Sequence, residues 1–155
     1  MKSFLLLLLL GVNLYGFAQN KAWIFAPNYS IDDGSGPVFS NLPTSAGGYQ
    51  NQPALGAQNI ITDTSGAITF FIVDEFIYDR GGNIIDRIEL NYGGTSIPGT
   101  NSEIIVVKDQ KDCNVFHLFT TKLVGGVSAA EPYYGRLRVS YNSQGQLNAN
   151  SGFYY

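Results

Sequence analysis

Apolar and polar positions alternate with period two, or run apolar for five residues, in several windows of the chain. Outside the amino-terminal apolar run, no window sustains the three-and-four spacing of an amphipathic helix, so strands are the expected elements. Arg136-Leu137-Arg138-Val139-Ser140-Tyr141 is the clearest case: Leu137, Val139 and Tyr141 suit a core while Arg136, Arg138 and Ser140 suit water. The pattern predicts strands over Trp23 to Ala26, Pro37 to Ser40, Ala57 to Thr62, Ala67 to Val73, Glu75 to Tyr78, Asn83 to Ile85, Ser102 to Val107, Val115 to Thr121, Gly135 to Tyr141 and Gly152 to Tyr155.

Three turns separate strands with clear chemistry. Asp63-Thr64-Ser65-Gly66, Asp79-Arg80-Gly81-Gly82 and Asn142-Ser143-Gln144-Gly145 each open on a side chain that bonds its own backbone and close on glycine. Such turns make hairpins, so neighbouring strands are expected to run antiparallel. Asn41 to Pro53 and Tyr92 to Thr100 are rich in Gly, Pro, Ser and Thr and read as loops joining units.

The chain also echoes itself. At an offset of 46 residues Ile60-Ile61-Thr62-Asp63 falls on Val106-Val107-Lys108-Asp109, and Phe70, Ile72 and Val73 fall on Phe116, Leu118 and Phe119, with a turn of equal length between. A period of ~40 to 50 residues is that of propeller blades. The expected fold is therefore all-β, an antiparallel propeller-like repeat of four-stranded blades. About three units fit, where closed propellers have roughly 4 to 8 blades, so the reading is an incomplete ring over residues 19–155, truncated at its carboxyl end. A compact β-sandwich is the alternative, since any two hairpins can be aligned.

Composition sharpens where the chain works. Residues 1–18 have the single cation Lys2, an apolar run from Phe4 to Leu10 and a small-x-small close at Gly16-Phe17-Ala18. That is the layout of a secretory signal peptide, and the run is diluted by Gly11, Asn13 and Gly16 before reaching the ~20 apolar residues a membrane span needs. Removing it takes away Lys2, leaving eight Lys and Arg against twelve Asp and Glu, a net charge of −4. Scattered cations on an acidic chain do not offer the stripe that nucleic acid requires. The expectation is a secreted or cell-surface protein with no transmembrane span in the mature chain and no nucleic-acid partner. One cysteine, Cys113, allows no internal disulfide.

Catalytic candidates are few. His117 is the sole histidine, lacks companions for a metal site, and is expected to be structural and hydrogen bonded. Cys113 ends the turn Asp109-Gln110-Lys111-Asp112-Cys113, where Lys108 and Lys111 would lower a thiol pKa and Asp109 and Asp112 oppose that effect. Asp32 or Asp33, Asp63, Asp74 and Glu75 could supply the two carboxylates of a glycosidase, although Asp at strand ends is commonly a turn former. Asp32-Asp33-Gly34-Ser35-Gly36 lacks the ligand spacing of a calcium loop. No cofactor or metal site is expected. Tyr29, Tyr49, Tyr92, Tyr133 and Tyr134 fall in expected loops, where they serve either as ligand contacts or as packing over sheet rims.

Trp23-Ile24-Phe25 as an opening strand, the double hairpin from Asn59 to Phe71 and Phe76 to Gly82, and the hairpin of Glu103 to Val107 with Val115 to Thr120 together resemble a known region. It is the amino-terminal propeller-like part of large secreted Bacteroidetes proteins, which often carry gliding-motility-associated or type IX secretion sorting domains at their far end. The sorting domain is absent from this sequence. The resemblance implies a non-enzymatic surface or secreted scaffold that binds protein or carbohydrate, with no catalytic residues carried over. A fragment of a secreted carbohydrate-active enzyme is the alternative.

Overall fold

A computed structural model of the chain describes residues 22–32, 36–92, 95–98, 104–123, 130–143 and 146–154. The expected leader, residues 1–18, lies outside the described residues, as does Asp33. The described residues contain strands and no helix. The first sheet comprises β1 (Ala22–Phe25), β2 (Asn28–Asp32) and β3 (Pro37–Asn41). The middle sheet comprises β4 (Gln58–Thr62), β5 (Ile68–Val73), β6 (Phe76–Asp79) and β7 (Ile84–Arg87). A hairpin of β8 (Glu89–Tyr92) and β9 (Thr95–Pro98) follows, and then the last sheet: β10 (Ile105–Lys108), β11 (Val115–Leu123), β12 (Ala130–Tyr141) and β13 (Leu147–Tyr154). Strands consecutive in sequence pair antiparallel throughout each sheet.

Four expectations are corrected. Among the described residues the first sheet has three strands and not four. Tyr29 lies in β2, where Tyr29 and Ile31 pack toward the middle sheet and alternate with Asn28, Ser30 and Asp32 on the outward face, an apolar alternation of only two residues that does not stand out from the loop-like sequence around it. Tyr92 belongs to β8, so the segment from Tyr92 to Thr100 is not simply a loop. Tyr133 and Tyr134 lie within β12, which begins at Ala130, and β13 starts at Leu147, ahead of the expected Gly152.

The middle sheet is packed on both faces. Toward the first sheet it sends Ile60, Phe71, Val73 and Tyr78, which meet Ala22 and Ile24. Toward the last sheet it sends Phe70, Ile72 and Ile77, which meet Phe116, Leu118, Leu137 and Val139. Consecutive β5 residues thus serve two cores, which is why Phe70 to Val73 read as one apolar run without alternation. At ~1.5–3 kcal/mol per buried large apolar side chain, this strand contributes much of what holds the three layers together.

The sheets are stacked in the same sense along one edge. Asn59 Nδ2, at the start of β4, donates to Ile104 O just before β10 at 2.9 Å. At the far ends of these strands, the β4–β5 and β6–β7 turns share a cleft with the β12–β13 turn. The strands of the middle and last sheets therefore run in parallel directions, first strand by first strand, while β13 lies against β7 and β8 at the opposite edge.

Equal turn lengths, expected from the 46-residue echo, do not hold. Asp63 N bonds to Ala67 O in the middle sheet, whereas Asp109 N bonds to Val115 O in the last, two residues further on. The ladder of β4 and β5 skips Thr69, and β10 with β11 shows no such skip. The net difference is one residue, so Ile61 pairs with Phe70 while its counterpart Val107 pairs with His117. Phe70 corresponds in space to His117, Ile72 to Phe119 and, through the next strand, Ile77 to Tyr134. The sequence partners Phe70 and Phe116 instead face each other, with ring centroids 5.0 Å apart and nearly perpendicular.

Candidate functional site

Two places gather polar and aromatic groups near the surface. The first is the cleft of about 280 Å³ at the turn ends of the middle and last sheets, where Asp63, Asp79, Arg80 and Asn83 meet Tyr141 and Gln146. Both carboxylates are built in by local backbone geometry. Asp63 Oδ1 accepts from the Ser65 and Ala67 amides at 2.8 and 3.1 Å and from the Ser65 hydroxyl at 2.6 Å. Asp79 Oδ1 accepts from the Gly81 and Asn83 amides at 2.8 and 2.9 Å. Gly66 and Gly82 close these turns at φ 86° and 83°, where a side chain would be strained.

The Ser65 hydroxyl, followed by the turn amides, holds the Asp63 carboxyl below its ordinary pKa. A general acid needs the opposite shift. The remaining enzyme candidates are likewise engaged. Asp74 sits at φ 54° in the β5–β6 turn and accepts from the Leu55 and Gly56 amides at 2.9 and 2.8 Å. Glu75 pairs with Arg87 at 2.7 Å, and Asp32 is on the outward face of β2. The structure brings Asp63 together with Asp79, and none of the other candidates lines that cleft. Among the described residues no group of three or more His, Cys, Asp or Glu is placed to hold a metal ion.

The second place is the outward face of the last sheet. His117 stands between two partners, with Nε2 2.9 Å from Asp109 Oδ2 and Nδ1 2.7 Å from the Tyr134 hydroxyl. A neutral ring protonated on Nε2 donates to Asp109 and accepts from Tyr134; the imidazolium donates to both. Donation from His117, reinforced by the Lys111 and Asp112 amides, pulls the Asp109 carboxyl down from 3.8 to about 2. Tyr134 stacks on His117 at 5.8 Å and leans on Phe119 at 5.4 Å, so three rings form one fixed platform. Arg138 pairs with Asp112 at 2.9 Å at the same end of the sheet. Cys113 is exposed in the adjoining turn.

Of the five tyrosines singled out by position, Tyr134 alone joins this platform. Tyr49 is corrected outright as a ligand contact: it is fully buried, its hydroxyl donates to Gln52 O at 2.6 Å, and it packs edge-on against Phe71 and Tyr78. Burial, with Tyr78 and Asp74 nearby, pushes its pKa up to about 12. Tyr133 is buried in the core between the middle and last sheets, and Tyr29 packs against the core between the first and middle sheets. Tyr92 lies in β8. Sequence reasoning passed over Tyr141, 60% exposed at the rim of the cleft; its alternation with Val139 was read as pointing it inward.

Among the described residues no helix is long and apolar enough to cross a membrane. No protein family, curated protein or solved structure was found to match the chain.

Proposed function

We propose that this chain is an exported, propeller-like β-repeat module that acts as a non-enzymatic scaffold or binding unit at the cell surface or outside the cell. It is read as part of a larger repeat protein of the kind the Bacteroidetes secreted proteins exemplify. The three-sheet stack, with the first strands β1, β4 and β10 gathered at one edge and β13 against β7 at the other, supports a propeller-like arrangement over a two-layer sandwich. The observation that carries the non-enzymatic role is the use made of the cleft carboxylates. Each spends an oxygen on turn amides, and the Ser65 hydroxyl holds Asp63 ionised, the wrong state for a proton donor.

What the cleft offers is binding chemistry: an exposed tyrosine ring, a guanidinium and side-chain amides around two fixed anions. That combination suits a hydroxyl-rich ligand such as a carbohydrate. The expected result on a glycan array is retention without release of reducing ends, weakened about tenfold or more by Tyr141→Ala. Hydrolysis abolished by Asp63→Asn would overturn the reading in favour of a carbohydrate-active enzyme.

A further inference from the structure

Two of the turns that wall the cleft are built alike, and one of them is held from outside itself. In the β4–β5 turn the bonds run between its own residues: Asp63 N donates to Ala67 O at 2.9 Å, Gly66 N to Asp63 O at 3.1 Å, and the Ser65 and Ala67 amides to the Asp63 carboxylate. A Cβ at Gly66 would meet nothing closer than an Ile31 methyl at 3.8 Å. The β6–β7 turn repeats the pattern, with Asp79 N donating to Asn83 O at 2.9 Å, Gly82 N to Asp79 O at 3.0 Å, and the Gly81 and Asn83 amides to the Asp79 carboxylate. It then gains two bonds from a distant segment, because Tyr49 N and the Ser45 hydroxyl both donate to Gly82 O, at 2.8 and 2.9 Å.

That segment is a closed unit of its own. Gly48 N and Gln50 Nε2 donate to Ser45 O at 3.1 and 2.6 Å, and Ser45 N donates to Tyr49 O at 3.2 Å. Its far end is sunk in the core between the first and middle sheets, where Tyr49 is wholly buried against Phe71 and Tyr78. Tyr78 immediately precedes Asp79, so the Tyr49 ring seats the strand while the Tyr49 amide holds that strand's turn. The fit is close. A Cβ at Gly48 would run into the Gly82 carbonyl and the Ser45 hydroxyl, and a Cβ at Gly82 into the Pro43 carbonyl, so glycine at both places lets the two backbones touch.

What this segment holds is one wall of the cleft. Asp79, Arg80 and Asn83 reach the cleft from the braced turn, with Asn83 Nδ2 donating to Asp79 Oδ2 at 3.0 Å. A turn already ordered before a ligand arrives need not be ordered by it, and the smaller ordering cost appears as affinity. We propose that Pro43 to Tyr49 is a positioning brace for recognition in the cleft, with Ser45 and Gly48 setting the affinity of a site they do not line. The effect on affinity rests on the carbohydrate reading of the cleft; the brace itself rests on the bonds to Gly82.

The test uses the protein exported from cells expressing the full 155-residue chain. Amide exchange is followed residue by residue, and binding is measured to neutral hexose and N-acetylhexosamine oligosaccharides. With intrinsic rates divided out, the Gly81 and Asn83 amides should exchange at least about threefold more slowly than Ser65 and Ala67, their counterparts in the unbraced turn. Ser45→Ala should shrink that difference and weaken oligosaccharide binding about two- to tenfold. Gly48→Ala should do at least as much, with the circular dichroism spectrum unchanged in both. Tyr141→Ala, on the rim, should weaken binding without changing exchange in either turn, a separation that a general loss of stability would not produce. Equal protection of the two turns in the parent, or protection that Ser45→Ala leaves alone, would overturn the brace with no ligand needed. A parent that binds, beside a Ser45→Ala variant that binds as tightly, would overturn its role in recognition. A parent that retains no oligosaccharide would overturn the carbohydrate reading, and the effect on affinity with it.

Discussion

The middle and last sheets are the same four-stranded meander, yet the middle sheet is buried on both faces and the last on one. On matching positions the middle sheet places Phe70, Ile72 and Ile77, each wholly buried, where the last places His117, Phe119 and Tyr134. Burial in this chain is therefore decided by what neighbours a face and not by how apolar the strand is. The exposed set keeps large rings but exchanges pure hydrocarbon for groups that can also bond at their edges, with Asp109 and Tyr134 holding the histidine.

That contrast can be broken most directly by truncation. Phe70→Ala is expected to cost about 3–5 kcal/mol in chemical denaturation, and Phe119→Ala, measured at dilute protein, under about 1 kcal/mol. Equal losses would mean that the two faces are not in different environments. The turn that sits over the middle sheet allows a second comparison. Gly82 has φ 83° and a Cβ there would run into the Pro43 carbonyl, while Gly47 has φ 76° with open space around it. Gly82→Ala should lower stability by about 2–3 kcal/mol and Gly47→Ala by about 1 kcal/mol, the backbone strain alone. The smallest effect is expected from acid. A carboxyl whose folded pKa lies below its ordinary value adds stability that is present above that value and lost as the pH falls through the folded one. For Asp109 the window runs from 3.8 down to about 2. Melting temperature followed across it should show a shallow decline that Asp109→Asn makes shallower, the remainder coming from Asp63 and Asp112, whose carboxyls are also held low; an unchanged decline would place its cause elsewhere.

Strand existence was legible wherever apolar residues alternate against charge or run together, as in β12 and β5, because those patterns have no other way to hide their apolar atoms. Less was legible where tertiary neighbours supply the burial. The segment of Leu42 to Pro53 looks like a polar connection, but it folds onto the β6–β7 turn, with Tyr49 N and the Ser45 hydroxyl both donating to Gly82 O at 2.8 and 2.9 Å. That places Tyr49 and Leu42 in a core that no local pattern announces. Asp63 and Asp79 were readable as turn openers, and their turns do take that form. Their sharing a cleft with Tyr141 depends on sheet stacking, which spacing along the chain does not encode.

The longer turn from Asp109 to Val115 has a consequence for anyone building with this chain. In a β-ladder one residue is half a wavelength; the two extra turn residues alone would make a whole one, and it is the residue skipped at Thr69 in the middle sheet's ladder that leaves an odd offset and exchanges inside for outside between the two second strands. Copying the middle sheet's hairpin into the last sheet by counting residues would insert Phe70 where Phe116 now sits and carry the old phase with it. A graft aligned on the ladder, which sets Phe70 where His117 stands, keeps the two faces in register.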